Sequence, residues 1–172
     1  MKRYFVILLI MLQSQHVQCQ NKQLELGDRL PAFSLRDQND SLFDIQNYIG
    51  KDILVIYFYP KDESPVCTKE SCSFRDRYAD FVQAGARVIG INQGSVASHK
   101  KFQLHHQLPF TLLSDPDKKV LKLFGVKNKF VFTGRVTYVI GRTGKIEFIY
   151  NSFSKGPEHT AAALKFIQSM KE

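Results

Sequence analysis

With 172 residues, 44% of them hydrophobic and 23% charged, the chain suffices for one compact domain and is neither polar enough for a disordered tail nor long enough to demand a second core. Its formal net charge is +8, yet the basic residues alternate with acids, as in Lys51-Asp52, Lys61-Asp62-Glu63, Lys69-Glu70 and Arg75-Asp76-Arg77. A solvated, mildly basic surface follows, and a nucleic-acid-binding stripe of basic and aromatic residues is excluded.

The chain opens with Lys2 and Arg3, an apolar stretch from Tyr4 to Leu12, and a polar segment running to Cys19. This is the pattern of a secretory signal, residues 1–19, and its apolar stretch is too short for a membrane-spanning helix. Val17 and Cys19 suit cleavage after Cys19, with the domain starting at Gln20; His16-Val17-Gln18 fits poorly with the small residues that precede a lipidated cysteine. The predicted localisation is extracytoplasmic. Without the leader, 22 basic and 16 acidic side chains leave about +6. Only Cys67 and Cys72 then remain, a pair in a compartment that permits disulfides.

Beyond a polar lead-in to Gly27, Leu30–Leu35 and Leu42–Ile45 flank the turn-rich Asp37-Gln38-Asn39-Asp40 and read as a hairpin. Ile53–Tyr59 is a continuous apolar run rich in β-branched and aromatic residues, as in a strand buried on both faces. From Cys67 to Ala84, Phe74, Tyr78, Phe81 and Val82 recur at helical spacing, with Gly85 as a stop. Arg87–Asn92 reads as a strand, Ser95–His106 as a helix capped by Ser95, and Phe110–Leu113 as a short strand. Ser114-Asp115-Pro116 opens a further helical turn that ends near Phe124. Arg135–Ile140 and Lys145–Tyr150, joined by Gly141-Arg142-Thr143-Gly144, form a second hairpin, and Pro157–Lys171 the last helix. The order predicts an α/β fold with a mixed sheet covered on both faces.

The chemistry concentrates where the strand at Ile53–Tyr59 gives way to a helix. At that point Cys67 meets free backbone N–H groups and the positive end of the helix dipole, which favour a thiolate nucleophile. Ser64 supplies a hydroxyl three residues earlier, while Pro60 and Pro65 stiffen the approach. A thiolate attacking a peroxide becomes a sulfenic acid, and a second thiol converts this to a disulfide before over-oxidation; Cys72 is the obvious second thiol. On an intact helix residues five apart have Cα atoms about 8.6 Å from one another, whereas a disulfide needs less than about 7 Å, so that step requires local unwinding.

These residues resemble the peroxiredoxins, AhpC/TSA-like members of the thioredoxin-like superfamily, and among them the bacterioferritin comigratory or Q-type branch. The family pattern of Pro, Thr or Ser, and Cys is matched by Pro60, Ser64 and Cys67, and Cys67-Thr68-Lys69-Glu70-Ser71-Cys72-Ser73-Phe74-Arg75-Asp76 looks like the branch's signature. The similarity runs from about Leu26 to the C-terminus, including Leu113-Ser114-Asp115 and Arg135–Ile140. It implies a thioredoxin-like fold and a monomeric thiol peroxidase acting on hydrogen peroxide and organic hydroperoxides without a cofactor. Cys67 would be the peroxidatic and Cys72 the resolving cysteine, Ser64 would bind the peroxide, Arg135 would stabilise thiolate and transition state, and Pro60 would shield the sulfur. A thioredoxin-like protein would return the electrons, and export would require that partner outside the cytoplasm.

Three features depart from the pattern: Ser64 replaces the commoner Thr, Gly141 stands where many relatives have Asp, and Lys127–Gly134 lacks a clear match. Two other readings of the cysteine pair stay open, an exported thiol–disulfide oxidoreductase of the same fold and a non-catalytic domain stapled by a disulfide. The former normally has Cys-x-x-Cys. His105-His106 reads as two solvated histidines pointing to different sides of a helix, with no carboxylate cluster around them to make a metal site. Gly141–Lys145 lacks the spacing of a phosphate loop.

Overall fold

The computed structural model describes residues 22–128 and 133–170. The expected leader, Cys19 included, and part of the unmatched Lys127–Gly134 segment lie outside the described residues. Strand β1 (Ser34–Asp37) and β2 (Leu42–Asp44) form the N-terminal hairpin, followed by a short 3-10 turn at Ile45–Asn47. Then come β3 (Ile53–Phe58), α1 (Pro65–Asp76), α2 (Tyr78–Gln83), β4 (Ala86–Asn92), α3 (Val96–His106), β5 (Thr111–Ser114), α4 (Lys119–Leu123), β6 (Val136–Ile140), β7 (Ile146–Asn151) and α5 (Gly156–Ser169). None of the described helices is long and apolar enough to cross a membrane.

The strands make one mixed sheet in the order β2-β1-β5-β4-β3-β6-β7. β3 is parallel to β4 and antiparallel to β6, and every one of its residues is buried. Because side chains alternate along a strand, β3 feeds two cores. Ile53, Val55 and Tyr57, with Tyr59 just beyond, pack with Cys67 and Phe74 of α1, Phe81 of α2, Phe102 of α3 and Leu164 of α5. Leu54, Ile56 and Phe58 face the other side, against Leu30, Phe33, Phe43 and Phe124. An uninterrupted apolar run is therefore what a doubly covered central strand requires.

Three expected boundaries move. The single helix over Cys67–Ala84 is two helices: it starts at Pro65, and Arg77 (φ −107°, ψ 11°) leaves helical geometry between α1 and α2. Leu30 and Phe33 are core residues outside any strand, so β1 begins only at Ser34. The helix after β5 is delayed to Lys119, because Asp115 stays outside it and accepts from the backbone N–H groups of Lys119 (2.8 Å) and Leu121 (2.9 Å). Ser95 does cap α3, its hydroxyl accepting from Ser98 N–H at 3.2 Å. At the second hairpin Gly144 takes φ +75°, the left-handed conformation that favours glycine.

The register of β3 against β6 brings distant residues together. Phe58 pairs with Val136, so Arg135 lies beside the end of β3, where the chain turns toward α1. Val136 points into the core under α4; Arg135 and Thr137, of opposite parity, face α1 and α5.

Candidate active site

α1 starts where Pro65 supplies the fixed φ of a first helical residue and Ser64, in extended conformation (φ −76°, ψ 143°), serves as N-cap residue. The Ser64 hydroxyl does not cap the helix; it donates to the Lys61 carbonyl at 3.1 Å. Cys67 is the third helical residue, within the turn whose N–H groups lack helical partners, and its side chain is buried.

One guanidinium meets that sulfur. Arg135 Nη2 donates to Cys67 Sγ at 3.1 Å, Nε donates to the Phe153 carbonyl at 3.0 Å, and Nη1 donates to Glu70 Oε2 in a very close contact. A planar fork with three fixed partners has little rotational freedom, and it aims one N–H at the sulfur. Glu70 lies three residues after Cys67, on the same face of α1, and is fully buried. Burial pushes its carboxyl up, Arg135 opposes that, and burial prevails at about 8. Burial therefore favours the neutral acid over the carboxylate beside Arg135.

Behind Glu70 stands His159 of α5, its Nδ1 3.6 Å from Glu70 Oε1. His159 Nε2 faces the Ser152 carbonyl at 2.9 Å and must donate to it, which leaves Nδ1 to accept from the Thr137 hydroxyl at 2.8 Å. Burial lowers this imidazole to about 4, in keeping with that neutral tautomer.

The loop between β3 and α1 is held from below. Asp62, buried, accepts from the Tyr59 hydroxyl (2.8 Å), Asn92 Nδ2 (2.8 Å), the Ser98 hydroxyl (2.5 Å) and His99 Nδ1 (2.8 Å). Burial alone would raise this carboxyl, but the hydrogen bond and charge of His99, with Ser98 and Tyr59, hold it below the usual range. A pocket of about 250 Å³ opens above, lined by Pro60, Lys61, Ser64, Pro65, Val66, Arg135, Phe153 and Ser154. Its polar groups are few, and Arg135 connects it to the sulfur.

Of the residues expected from the sequence, Pro60, Ser64 and Arg135 thus share one pocket wall, and Cys67 lies directly behind it. Cys72 is not in that wall. It is partly buried on the same intact helix, and both cysteines are free thiols. Glu70, His159, Thr137 and Asp62 were missed; the i, i+3 spacing of Glu70 from Cys67 was the one signal in the sequence. The expectation for His105 and His106 also changes. They do not diverge: both rings turn toward Glu63, which arrives from the loop before Ser64.

The model of the AhpC/TSA family matches residues 26–149. Peroxiredoxin Q, chloroplastic, from Oryza sativa subsp. japonica is 44% identical over 146 residues, 84% of this chain and 67% of that protein. The crystal structure of peroxidoxin BcpB from Mycobacterium tuberculosis superposes with a TM-score of 0.82 at 28% identity, covering 87% of this chain and 100% of that one. A mutant PrxQ of Xylella fastidiosa gives a TM-score of 0.82 at 29% identity, covering 88% and 99%. The thioredoxin-like fold expected from the motif is thereby established, as is the choice of peroxidase over a disulfide oxidoreductase or an inert stapled domain. With its cysteine buried against an arginine at the start of a helix, the chain belongs to the AhpC/TSA family and is a peroxiredoxin, a thiol peroxidase.

Proposed function

We propose that Cys67 is the peroxidatic nucleophile of a two-cysteine cycle completed within one chain by Cys72. The observation that carries this is the Arg135 N–H on Cys67 Sγ, 3.1 Å away at the back of a pocket that also presents Ser64. The thiolate attacks the distal oxygen of the peroxide, the O–O bond breaks, and the departing alkoxide or hydroxide takes a proton to leave as alcohol or water. The sulfur keeps the oxygen as a sulfenic acid. Arg135 and the Ser64 hydroxyl are the donors at hand for the two peroxide oxygens, and Arg135 follows the charge from sulfur to leaving group. Pro60 shields the sulfur, and Glu70 and Phe153 keep the guanidinium in line. The few polar groups of the pocket suit organic hydroperoxides as well as hydrogen peroxide.

Cys72 then attacks the sulfenic sulfur and expels water, giving a Cys67–Cys72 disulfide. Both thiols lie on α1, so its first turns unwind for this step. A thioredoxin-like dithiol attacks the disulfide and returns both thiols, and no bound cofactor enters the cycle. The protein works as a monomer outside the cytoplasm, its leader removed after Cys19.

Intact mass and peptide mapping after one equivalent of hydrogen peroxide test the cycle. The expected product is two hydrogens lighter, carries a Cys67–Cys72 link, and is returned by a thioredoxin system. Cys67→Ser should abolish turnover, while Cys72→Ser should consume one equivalent and stop as the sulfenic acid, with a second equivalent carrying it to the sulfinic acid. Full turnover by the Cys67 variant would refute the assignment, and persistence of both thiols in the wild type would refute the cycle. N-terminal sequencing of the exported protein checks the cleavage, with Gln20 expected first and a lipid-modified Cys19 the contrary result.

A further inference from the structure

Away from the thiol site, one cluster has the makings of a metal centre: Glu63, His105 and His106. Glu63 precedes the N-cap residue of α1, and the two histidines form the last turn of α3. His105 Nδ1 lies 3.0 Å from Glu63 Oε1, and His106 Nε2 lies 2.9 Å from Glu63 Oε2. The donor atoms offered by the three residues all lie within 4.8 Å of one another. Adjacent helical residues ordinarily diverge by about 100°. Here the imidazole rings are 4.3 Å apart, tilted by only 34°, and bracket one carboxylate.

We propose that Glu63, His105 and His106 bind a Zn²⁺ ion. Two imidazole nitrogens and one carboxylate oxygen are ligands Zn²⁺ prefers, at bonds of about 2.0–2.2 Å, which set donor atoms roughly 3.3 Å apart in a tetrahedron. The observed separations of 3.0 and 2.9 Å run to different oxygens of Glu63, so the carboxylate turns to set one oxygen between the two rings when the ion enters. The ion replaces the protons that now bridge each ring to the carboxylate. One negative carboxylate and two neutral rings offset half of its charge, and the hydrogen-bond acceptors that favour Mg²⁺ or Ca²⁺ cages are too few here. Glu63 and His105 are exposed, which leaves the fourth position open to water. The Arg75 guanidinium, donating to the His106 carbonyl at 2.8 Å, fixes the backbone of this turn and is the nearby cation the ion must tolerate. A bound ion staples the β3–α1 loop to α3 beside Ser64, and none of its ligands belongs to the peroxidase machinery.

Calorimetric titration with Zn²⁺ tests this on the full chain carrying Cys19→Ser, Cys67→Ser and Cys72→Ser, so that no thiol can ligate. One equivalent should bind, about tenfold or more weaker in each of Glu63→Gln, His105→Ala and His106→Ala. Zn²⁺ should also raise the melting temperature of the parent by more than that of each variant at the same Zn²⁺ concentration, a readout independent of peroxide turnover. Unchanged Zn²⁺ affinity in any of the three variants, or Mg²⁺ binding as tightly as Zn²⁺, overturns the site.

Discussion

Glu70 and His159 sit in one buried cluster, and removal from water pushes them in opposite directions, the acid up to about 8 and the imidazole down to about 4. Folded protein therefore keeps a proton on Glu70 that the unfolded chain loses above about 4.5, and refuses one on His159 that the unfolded chain gains below about 6.5. The first effect lowers stability as pH rises through 4.5–8; the second lowers it as pH falls from 6.5 through 4. The two oppose each other in the overlap and leave only Glu70 above it. Urea unfolding should thus show little pH dependence where the two ranges overlap and a fall in stability above it, toward pH 8. Glu70→Gln should remove the fall, and a slope unchanged in that variant would assign it elsewhere. Arg135→Lys keeps the charge but loses the fork that reaches Phe153, Glu70 and Cys67 together; the second-order rate with peroxide should drop by roughly 10²–10³, measured by stopped flow. Pro60, Ser64, Cys67 and Arg135 were legible at this scale because a motif names them. His159 was not, since a histidine within an amphipathic helix gives no sign of whether it faces water or a buried carboxyl.

Helix α1 carries both thiols and is the element whose behaviour matters most. Phe74 anchors it, stacked on Tyr57 with ring centroids 4.7 Å apart, and Ser71 meets the Tyr57 hydroxyl at 3.1 Å. The proposed Cys67–Cys72 disulfide requires its first turns to open against those contacts. Amide exchange of residues 67–72 should accelerate at least tenfold in the oxidised protein while β3 stays protected; equal rates in both states would mean the helix does not open. The break at Arg77 escaped the sequence reading for a plain reason: Phe74, Tyr78 and Phe81 keep helical spacing across it, and periodicity records which side chains are buried, not whether the backbone between them is continuous. Leu30 and Phe33 misled in the same way, since an apolar residue can fill a core from a loop.

For the molecule as a whole, both cores meet at the β3–β4 pair. Gly90 in β4 faces Tyr57 and Leu112, and a Cβ there would come within 2.7 Å of the tyrosine ring and 2.8 Å of the leucine. Gly90→Ala should cost about 1–3 kcal/mol in denaturant unfolding, with the loss shared across the fold because the sheet is common to both cores. An unaffected midpoint would show that Tyr57 can retreat. Element order and the mixed sheet were readable from apolar runs and turn residues. The pairing of Phe58 with Val136, which delivers Arg135 to Cys67, depends on how strands choose neighbours, and no local pattern encodes that choice.

The start of α5 lies hard against the first turn of α1: a side chain on Gly156 would come within 2.7 Å of the Val66 carbonyl and 3.0 Å of Glu70 Cβ. Since α5 also brings His159 to Glu70, a nascent chain that has cleared the ribosome only as far as β7 possesses the cysteine, the serine and the arginine, yet lacks the wedge that seats them. The firm seating of α1 thus waits on α5, and a chain cut after β7 should show faster amide exchange in α1 than the full chain.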